Sequence, residues 1–438
     1  MAERQLSEPG PVVVLDDDPT GTQSASGARV LLDTSDAALR SWFGTHEPSS
    51  VYVLTNSRAL TGADAQAIVG RIARVVDAEW PGTELVLRGD STLRGHVGEE
   101  YLGVARGSTP VLLLAPAMPG AGRVTLDGHH YLLRGGRRVS LDETEYAADP
   151  DLGYGDAHLL RWAEQRSGGL FKAREGVVVT LSDLRAGGGG AVSAALGLLA
   201  HLGRPAVCAV DAETDEDVGR IAEGLTRARQ ERIDVVVRCA PPLAAILAGC
   251  TATTAPPAPA VDGRVLVVAA SYVPLSTEQL EAYDQRYPGT TVVADLHALI
   301  AAPGAEQDRL AVELSKIWRT NRVAALVTPR AIPQGPVIPR GIAIARNLAG
   351  TLTRLAEKPS VVVAKGGVTS AVTARNGLHA SSATVLGPLR PGIALWSLQT
   401  PGSATLPYVV FPGNVGERET LADLVCQLIG ARDARSVH

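Results

Sequence analysis

The sequence has few aromatic residues, few cysteines and no excess of positive charge, and each shortage argues against a class of function. Aromatic residues make up 4% of the 438 residues, which is too few for the base-stacking platforms of single-stranded nucleic-acid binding. The formal net charge of -5 gives no broad attraction to nucleic acid or to an anionic membrane. We therefore expect no nucleic-acid partner and no membrane partner.

The cysteines and the amino terminus indicate the compartment. The 4 cysteines are scattered and form no CxxC pair, so the sequence predicts neither a zinc site nor a disulfide framework. Residues 1–5 lack the basic-then-apolar pattern of a signal peptide. No apolar run approaches the roughly 20 residues that a membrane-spanning helix needs. These features favour a cytoplasmic protein with free, reduced thiols.

Several catalytic motifs are also missing. The sequence contains no GxSxG elbow, no HExxH pair, no Walker A loop and no early GxGxxG loop. These absences argue against a serine hydrolase, a zinc protease, a P-loop enzyme and a dinucleotide-binding dehydrogenase. His129 and His130 are adjacent, so on an extended chain they point apart and do not predict a metal pair.

The pattern of apolar residues predicts the fold class. Short β-branched runs alternate with helical spacing along the whole chain, which is typical of βαβ units. A chain of 438 residues is too long for one ordinary core. Residues 251–263, rich in Pro, Ala and Thr, resemble a linker. We predict an α/β protein with two doubly wound domains and mostly parallel sheets, at residues 1–250 and 264–438.

Four predicted strands of the first half each end in a polar cluster. The clusters follow the strands that begin near residues 12, 51, 85 and 111, and the first of them is Asp16-Asp17-Asp18. In a doubly wound sheet, ligands bind at the carboxyl ends of the strands. Three adjacent carboxylates repel one another and need donors, a cation or water nearby. An acidic solvated turn is the alternative interpretation.

The strongest cluster is the segment from Arg88 to Gly95. It places two guanidinium groups, two hydroxyls and a carboxylate in one strand-to-helix loop. Guanidinium groups bind carboxylates in a bidentate manner, so together with Arg58 this loop is suited to a small polyhydroxy acid. A capped helix start with surface arginines is the alternative. The irregular residues 125–156 are interpreted as an insertion or a β-hairpin packed over this site.

The second half offers a different kind of site. Lys365-Gly366-Gly367-Val368-Thr369-Ser370 follows a predicted strand, and paired glycines let backbone N–H groups approach phosphates. The turn at Gly413 is a weaker example, and the two turns together are what a nucleotide site can use. Residues 276–279 fit a capping box and predict the start of a helix there.

Five motifs in the same order resemble the four-carbon acid sugar kinase family over nearly the whole chain. They are residues 16–23, 55–58, 88–95, 116–123 and 365–370. The resemblance implies an N-terminal domain that binds the acid sugar and a C-terminal domain that binds ATP. It also implies phosphorylation of the terminal hydroxyl of acids such as threonate, erythronate or 3-oxo-tetronate, with relatives that act on branched acids such as 3-oxo-isoapionate.

Carried over residue by residue, the resemblance implies two sets of contacts. The acid-sugar contacts are Asp18, Arg58, Asp90, Ser91, Thr92 and Leu93, and the ATP contacts are Ser271, Gly366, Gly367, Val368, Thr369 and Gly413. This chain departs from the family at Arg88-Gly89, where Lys-Thr or Lys-Ser is usual, and at Val368, where an acid is usual. These departures leave the substrate open.

The residues also suggest a mechanism. We expect Arg58 and Arg94 to bind the substrate carboxylate, Asp17 or Asp18 to orient hydroxyls, and Asp90 to act as general base. The glycine turn would hold the ATP phosphates, with Mg²⁺ bridging their oxygens through ligands that the sequence does not identify. Closure of the two domains about the linker would exclude water.

Two alternatives remain open from the sequence alone. One is a kinase for a branched oxo-acid such as 3-oxo-isoapionate, and the other is a non-catalytic module that binds a sugar acid or a nucleotide. The expected partner is a small-molecule sugar acid, and a homodimer is left open.

Overall fold

The structure is a computed structural model that describes residues 10–259, 261–330, 337–402 and 405–430. Residues 1–5 and Ala260 of the expected linker lie outside the described residues. The chain divides into two compact units. Unit 1 contains the chain up to Asp17 and residues 34–251, and unit 2 contains residues 18–33 and the chain from Ala252 onward. Residues 18–33 belong to unit 2 in this division, although they lie within the first predicted domain, and unit 2 also includes residues 252–263 of the expected linker.

Most strands are short, and several of them are buried along their whole length. In the described residues they are β1 (Val12–Asp16), β2 (Arg29–Leu31), β3 (Val51–Leu54), β4 (Glu84–Arg88), β5 (Val111–Ala115), β6 (Arg123–Leu126), β7 (His129–Arg134), β8 (Arg137–Ser140), β9 (Val177–Val179), β10 (Val207–Val210), β11 (Val235–Cys239), β12 (Val265–Ala269), β13 (Thr291–Val293), β14 (Val323–Val327), β15 (Val361–Lys365), β16 (Ser382–Arg390), β17 (Ile393–Gln399) and β18 (Thr405–Phe411).

Helices connect most of the parallel strands. They are α1 (Asp36–Thr45), α2 (Gly62–Glu79), α3 (Val97–Ala105), α4 (Leu159–Arg166), α5 (Leu181–Gly187), α6 (Gly189–Ala200), α7 (Asp215–Gln230), α8 (Pro241–Leu247), α9 (Pro274–Arg286), α10 (Leu296–Ala301), α11 (Pro303–Ile317), α12 (Val337–Arg354), α13 (Gly367–Val372) and α14 (Thr420–Leu428). None of the helices within the described ranges is both long and apolar enough to span a membrane.

Unit 1 is built on a parallel sheet with the strand order β3-β1-β4-β11-β5-β10-β9. The chain leaves β1 toward β3 on one side and later returns to β4 on the other. The carboxyl ends of β1 and β4 therefore lie where the strand order reverses, which is the usual ligand position in such sheets. A second, antiparallel sheet of β6, β7 and β8 forms the expected insertion.

Unit 2 has a parallel part and an antiparallel part. The parallel strands have the order β13-β14-β12-β15-β18, and β17, β16 and β2 continue the sheet in antiparallel pairs. The core contains residues of β12, β14, β15 and β18 together with those of α9 and α14. The prediction of an α/β protein with mostly parallel sheets is confirmed.

A buried ion pair links β1 and β4, the neighbouring strands at the position where the strand order reverses. Arg88, the last residue of β4, contacts Asp16, the last residue of β1, and both side chains are almost fully buried. The same guanidinium group lies 3.0 Å from Asp17. Because burial of a charged group is costly without a partner, we infer that this guanidinium group compensates both carboxylates.

We expect Arg88→Met to lower the free energy of unfolding by about 3–5 kcal/mol, because it removes the cation and leaves buried carboxylates. Urea denaturation measures this loss. The control is Arg40→Met, which removes an exposed ion pair with Glu79 and should cost less than about 1 kcal/mol. Equal losses of unfolding free energy in the two variants would show that the buried ion pairs stabilise the fold no more than the exposed pair does.

Candidate functional site

The acidic loop after β1 is organised by two arginines in unit 1. Asp17 accepts two hydrogen bonds from Arg58, at 3.1 Å from Nε and 2.7 Å from Nη2. Arg88 also approaches this carboxylate, with its Nη1 3.0 Å from Oδ1. Asp17 therefore fixes the position of Arg58, as a bidentate pair does. Two of the residues named from the sequence, Asp17 and Arg58, are in direct contact.

Asp90 is the centre of the second cluster in unit 1. Its carboxylate accepts a hydrogen bond from Arg94 Nε at 2.7 Å, and Arg58 Nη1 lies 3.8 Å away. Thr92 donates from its backbone at 3.1 Å and from its hydroxyl at 2.5 Å. Burial opposes ionisation of Asp90, but Arg94, Arg58 and Thr92 outweigh it and hold its pKa well below the usual range. Asp90 is thus a fixed carboxylate that joins Arg58 to Arg94.

The inserted segment holds the backbone of this loop. Tyr154 donates its hydroxyl to the Thr92 carbonyl at 2.7 Å, and His130 Nε2 lies 3.0 Å from the Ser91 carbonyl. The loop is unusual in itself, because Leu93 has a φ of 64°, in the left-handed region that a leucine rarely adopts. The insertion therefore contacts the predicted site, as the sequence suggested, and keeps this loop in its conformation.

The insertion also contacts Arg94 directly. The Arg94 guanidinium lies 5.4 Å from the centre of the Tyr146 ring and 3.6 Å from the Asp149 carboxylate. A guanidinium over an aromatic face gains a cation–π attraction. Arg94 therefore contacts three side chains, those of Asp90, Tyr146 and Asp149.

A buried pair beneath this loop was missed by the sequence analysis. Arg238 on β11 pairs with Glu100 on α3, and Ser57 donates to the same carboxylate at 2.5 Å. A side chain at Gly95 would lie 2.6 Å from the Arg238 guanidinium, so the loop requires glycine there. One feature of the sequence could have indicated this pair. Arg238 lies near the end of the apolar run Val235–Cys239, and a charged side chain in a buried strand needs a partner.

The glycine turn of unit 2 adjoins two other predicted residues. Gly366 has a φ of +105°, and a side chain there would lie 3.1 Å from Ser271. A side chain at Gly413 would lie 2.7 Å from the Ser271 hydroxyl. Ser271, Gly366 and Gly413 are therefore brought together around one space. Thr369, buried on α13, lies 3.3 Å from the same position, whereas Val368 is half-buried in the first turn of that helix.

Ser276 belongs to the same group, although its sequence pattern predicts a different role. Helix α9 begins at Pro274, so residues 276–279 do not form a capping box at its start and that prediction was wrong. Pro274 already has the backbone angle of a first helical residue, which moves the start upstream. Ser276 instead donates to the Gly413 carbonyl at 3.0 Å and lies 3.2 Å from the Ser271 hydroxyl.

Asp18 lies in unit 2, apart from the rest of the acidic loop, which belongs to unit 1. Thr20 donates to one of its oxygens from the backbone at 2.9 Å and from the hydroxyl at 2.6 Å. The carboxylate occupies the space that a side chain at Gly367 would need, with its carbon 2.6 Å from that position. The sequence grouped Asp18 with the acid-sugar contacts, whereas the structure places it against the glycine turn.

Comparison of the sequence with known families shows which family the chain belongs to. Residues 12–247 match a family described as a sugar-binding N-terminal domain, and residues 266–421 match one described as a nucleotide-binding C-terminal domain. The chain belongs to the four-carbon acid sugar kinase family. The family's sugar-binding domain contains the arginine–carboxylate clusters, and its nucleotide-binding domain contains the glycine turn.

A curated relative and two solved structures agree with this membership. A D-erythronate kinase from Heliobacterium modesticaldum is 29% identical over 252 residues, which are 57% of this chain and 54% of the relative. The chain thus spans about half the length of the curated relative it matches. A Haemophilus influenzae protein has a TM-score of 0.62 at 19% identity over 94% of this chain and 99% of its own.

The second solved structure is a Salmonella typhimurium LT2 protein. It has a TM-score of 0.67 at 18% identity and covers 94% of this chain and 98% of its own. At such low identities, both structural similarities establish the fold of the family and nothing finer.

His130 provides a test of how the insertion supports the site. Burial, followed by the nearby Arg123, lowers its pKa to about 4. Its Nε2 faces a carbonyl oxygen and therefore donates, so Nδ1 accepts from the Thr125 hydroxyl at 2.8 Å in a neutral ring. Below about pH 6.5 the unfolded chain binds a proton on this histidine that the folded chain does not bind.

We expect the free energy of unfolding to fall by about 2 kcal/mol through this residue alone between pH 7 and pH 5. His130→Gln should remove that part of the pH dependence, which urea titrations at the two pH values measure. His201→Gln, at the exposed position that follows α6, is the control and should keep the wild-type difference. An unchanged pH dependence in His130→Gln would contradict the assignment of a neutral, buried ring.

Proposed function

We propose that this protein is an ATP-dependent kinase that phosphorylates the terminal hydroxyl of a four-carbon sugar acid, with D-erythronate as the first candidate. The observation that carries the proposal is the cluster of Arg58, Asp90 and Arg94 at the strand ends of the domain that matches a sugar-binding family. The named activity of the curated relative, D-erythronate kinase, supports the substrate class.

The acid would bind through charge and hydroxyl contacts in unit 1. Arg58 and Arg94 are held by carboxylates on one side, and planar guanidinium groups bind a carboxylate through two parallel hydrogen bonds. The hydroxyls of Ser91 and Thr92 are suited to the hydroxyls of the substrate. We assign the acid-sugar contacts to Asp17, Arg58 and the loop from Asp90 to Arg94.

The nucleotide would bind in unit 2. The backbone at Gly366 carries no side chain that would keep phosphates away, and Ser271 and Thr369 add hydroxyls to the same space. Phosphoryl transfer then forms a bond between the terminal hydroxyl oxygen and the γ-phosphorus and breaks the bond to the β–γ bridging oxygen. ADP leaves, and the hydroxyl proton passes to a base.

Asp18 is the residue of unit 2 that fits Mg²⁺. In the part of the chain that the structure describes, no group of three or more His, Cys, Asp or Glu side chains could hold a metal ion. Mg²⁺ is commonly bound by one or two carboxylates together with substrate phosphates, and a carboxylate against Gly367 meets that requirement. Bound Mg²⁺ would neutralise charge on the phosphates, and Asp18 would hold it.

Asp90 has two candidate roles in the mechanism. The sequence analysis assigned it as general base, and this stays a prediction. A carboxylate whose pKa is held low is a weak proton acceptor, so its ion pairs favour a different role, which is to orient Arg58 and Arg94.

The proposed activity is tested by measuring ADP release with a panel of four-carbon acids, including erythronate, threonate and 3-oxo-tetronate, and the branched 3-oxo-isoapionate. We expect turnover to be fastest with a linear four-carbon acid. Preference for the branched acid would establish the alternative kinase, and binding of acid and nucleotide without ADP release would establish a non-catalytic module. No binding of either ligand would contradict the proposal.

The two roles of Asp90 predict different kinetics for Asp90→Asn. If Asp90 orients the arginines, we expect the KM for the acid to rise about tenfold or more, with a smaller fall in kcat. Loss of a general base would instead lower kcat by about 10²–10⁴-fold with little change in KM. Asp149→Asn, which removes the longer and partly exposed contact with Arg94, is the control and should have a smaller effect.

A further inference from the structure

Lys365 is a buried cation at the end of β15, immediately before the glycine turn. Its side chain is fully buried, and its ammonium group donates to the Pro412 carbonyl at 3.0 Å. A second, longer contact reaches the Gly413 carbonyl at 3.5 Å. The ammonium also lies 3.8 Å from the centre of the Phe411 ring. These contacts are to neutral groups.

Among the described residues, no carboxylate forms an ion pair with Lys365. The neighbouring strands β12 and β18 and helix α13 contain no acid, and their one titratable group, Tyr408, stays neutral because burial raises its pKa. The acids of α9 are exposed, namely Glu278, Glu281 and Asp284. The Asp18 carboxylate contacts Gly367, the second glycine of the turn. Even so, burial alone accounts for the lowered pKa of Lys365, which is about 7.

The groups that surround Lys365 are those of the proposed nucleotide site. Gly366 N–H donates to the Phe411 carbonyl at 2.8 Å, so the glycine turn lies directly beside the loop that Lys365 holds. Ser276 donates to the same Gly413 carbonyl at 3.0 Å. Lys365 and Ser276 together fix the 412–413 loop beside the turn.

A buried cation without a counter-charge is costly, and a bound anion removes that cost. We propose that Lys365 supplies the fixed positive charge against which unit 2 binds the phosphate groups of a nucleotide, and that nucleotide binding is coupled to protonation of Lys365. The inference rests on the proposed function, because it takes the glycine turn as the phosphate site. It adds a residue that the acid-sugar kinase resemblance did not name as a contact.

The sign of the coupling follows from charge. Anionic phosphates stabilise the ammonium form, so the nucleotide-bound protein keeps its proton to a higher pH than the free protein. At about pH 8, where the free lysine has largely lost its proton and the nucleotide phosphates are fully ionised, binding should take up a proton from solution. Well below pH 7 the lysine is already protonated, and the uptake should vanish.

Isothermal titration calorimetry of ADP with Mg²⁺ in buffers of different ionisation enthalpy measures this uptake directly. For the full-length wild type at about pH 8 we expect an uptake approaching one proton per nucleotide, and little uptake at about pH 6. Binding of ADP with no dependence on the buffer at either pH overturns the Lys365 inference while leaving the proposed function intact. Failure of the wild type to bind any adenine nucleotide overturns both.

Three variants distinguish the effect of the positive charge of Lys365 from the effect of altered packing. Lys365→Met should bind ADP about tenfold or more weakly without proton uptake, because the cation is gone. Lys365→Arg keeps a permanent charge, so it should bind within a few-fold of the wild type, also without uptake. Lys358→Met removes a lysine that bonds the Leu352 carbonyl at 3.1 Å before the other end of β15, and it should behave as the wild type does. Uptake that persists in both Lys365 variants would contradict the inference.

Discussion

Pairing between buried guanidinium and carboxylate groups is the constraint on which unit 1 depends. Arg88 joins the ends of β1 and β4 through Asp16, and Asp17 then connects Arg88 to Arg58. Replacing a buried ion pair by apolar side chains is often neutral or stabilising, so stability alone gives no reason to keep so many charges here. A network that fixes arginines at the ligand edge of a sheet is better explained by what those arginines bind.

Much of the fold could be predicted because its signals are local. Short apolar runs closed by Gly, Pro or charged residues identify strands such as β1, β4 and β15, and the polar clusters at their ends follow directly in sequence. Strands β16 and β17 escaped prediction, since Gly387 and Pro388 interrupt the first of them. Both residues weaken a strand, and the pairing accommodates them through shifts in register between Val385 and Arg390.

The parts of the site that sequence reasoning missed depend on distant contacts. Arg238 and Glu100 are 138 positions apart, and nothing near either residue identifies its partner. Asp18 follows Asp17 directly but belongs to the other unit, where it lies against a glycine 349 positions further along. A run of three acids looks uniform in sequence, and only the folded chain distinguishes the two that hold arginines from the one beside the glycine turn.

The two units therefore differ in how the charges at their proposed anion sites are compensated. In the described part of unit 1, five carboxylates (Asp16, Asp17, Asp90, Glu100, Asp149) face four guanidinium groups (Arg58, Arg88, Arg94, Arg238), so each of these arginines has a carboxylate partner before any ligand binds. An acid that binds there must share arginines that are already engaged, so its hydroxyls have to contribute to its recognition. Unit 2 instead holds a buried lysine among neutral groups, so a ligand of high negative charge gains directly from it. The proposed acid site and the proposed phosphate site are together the combination that a sugar-acid kinase requires.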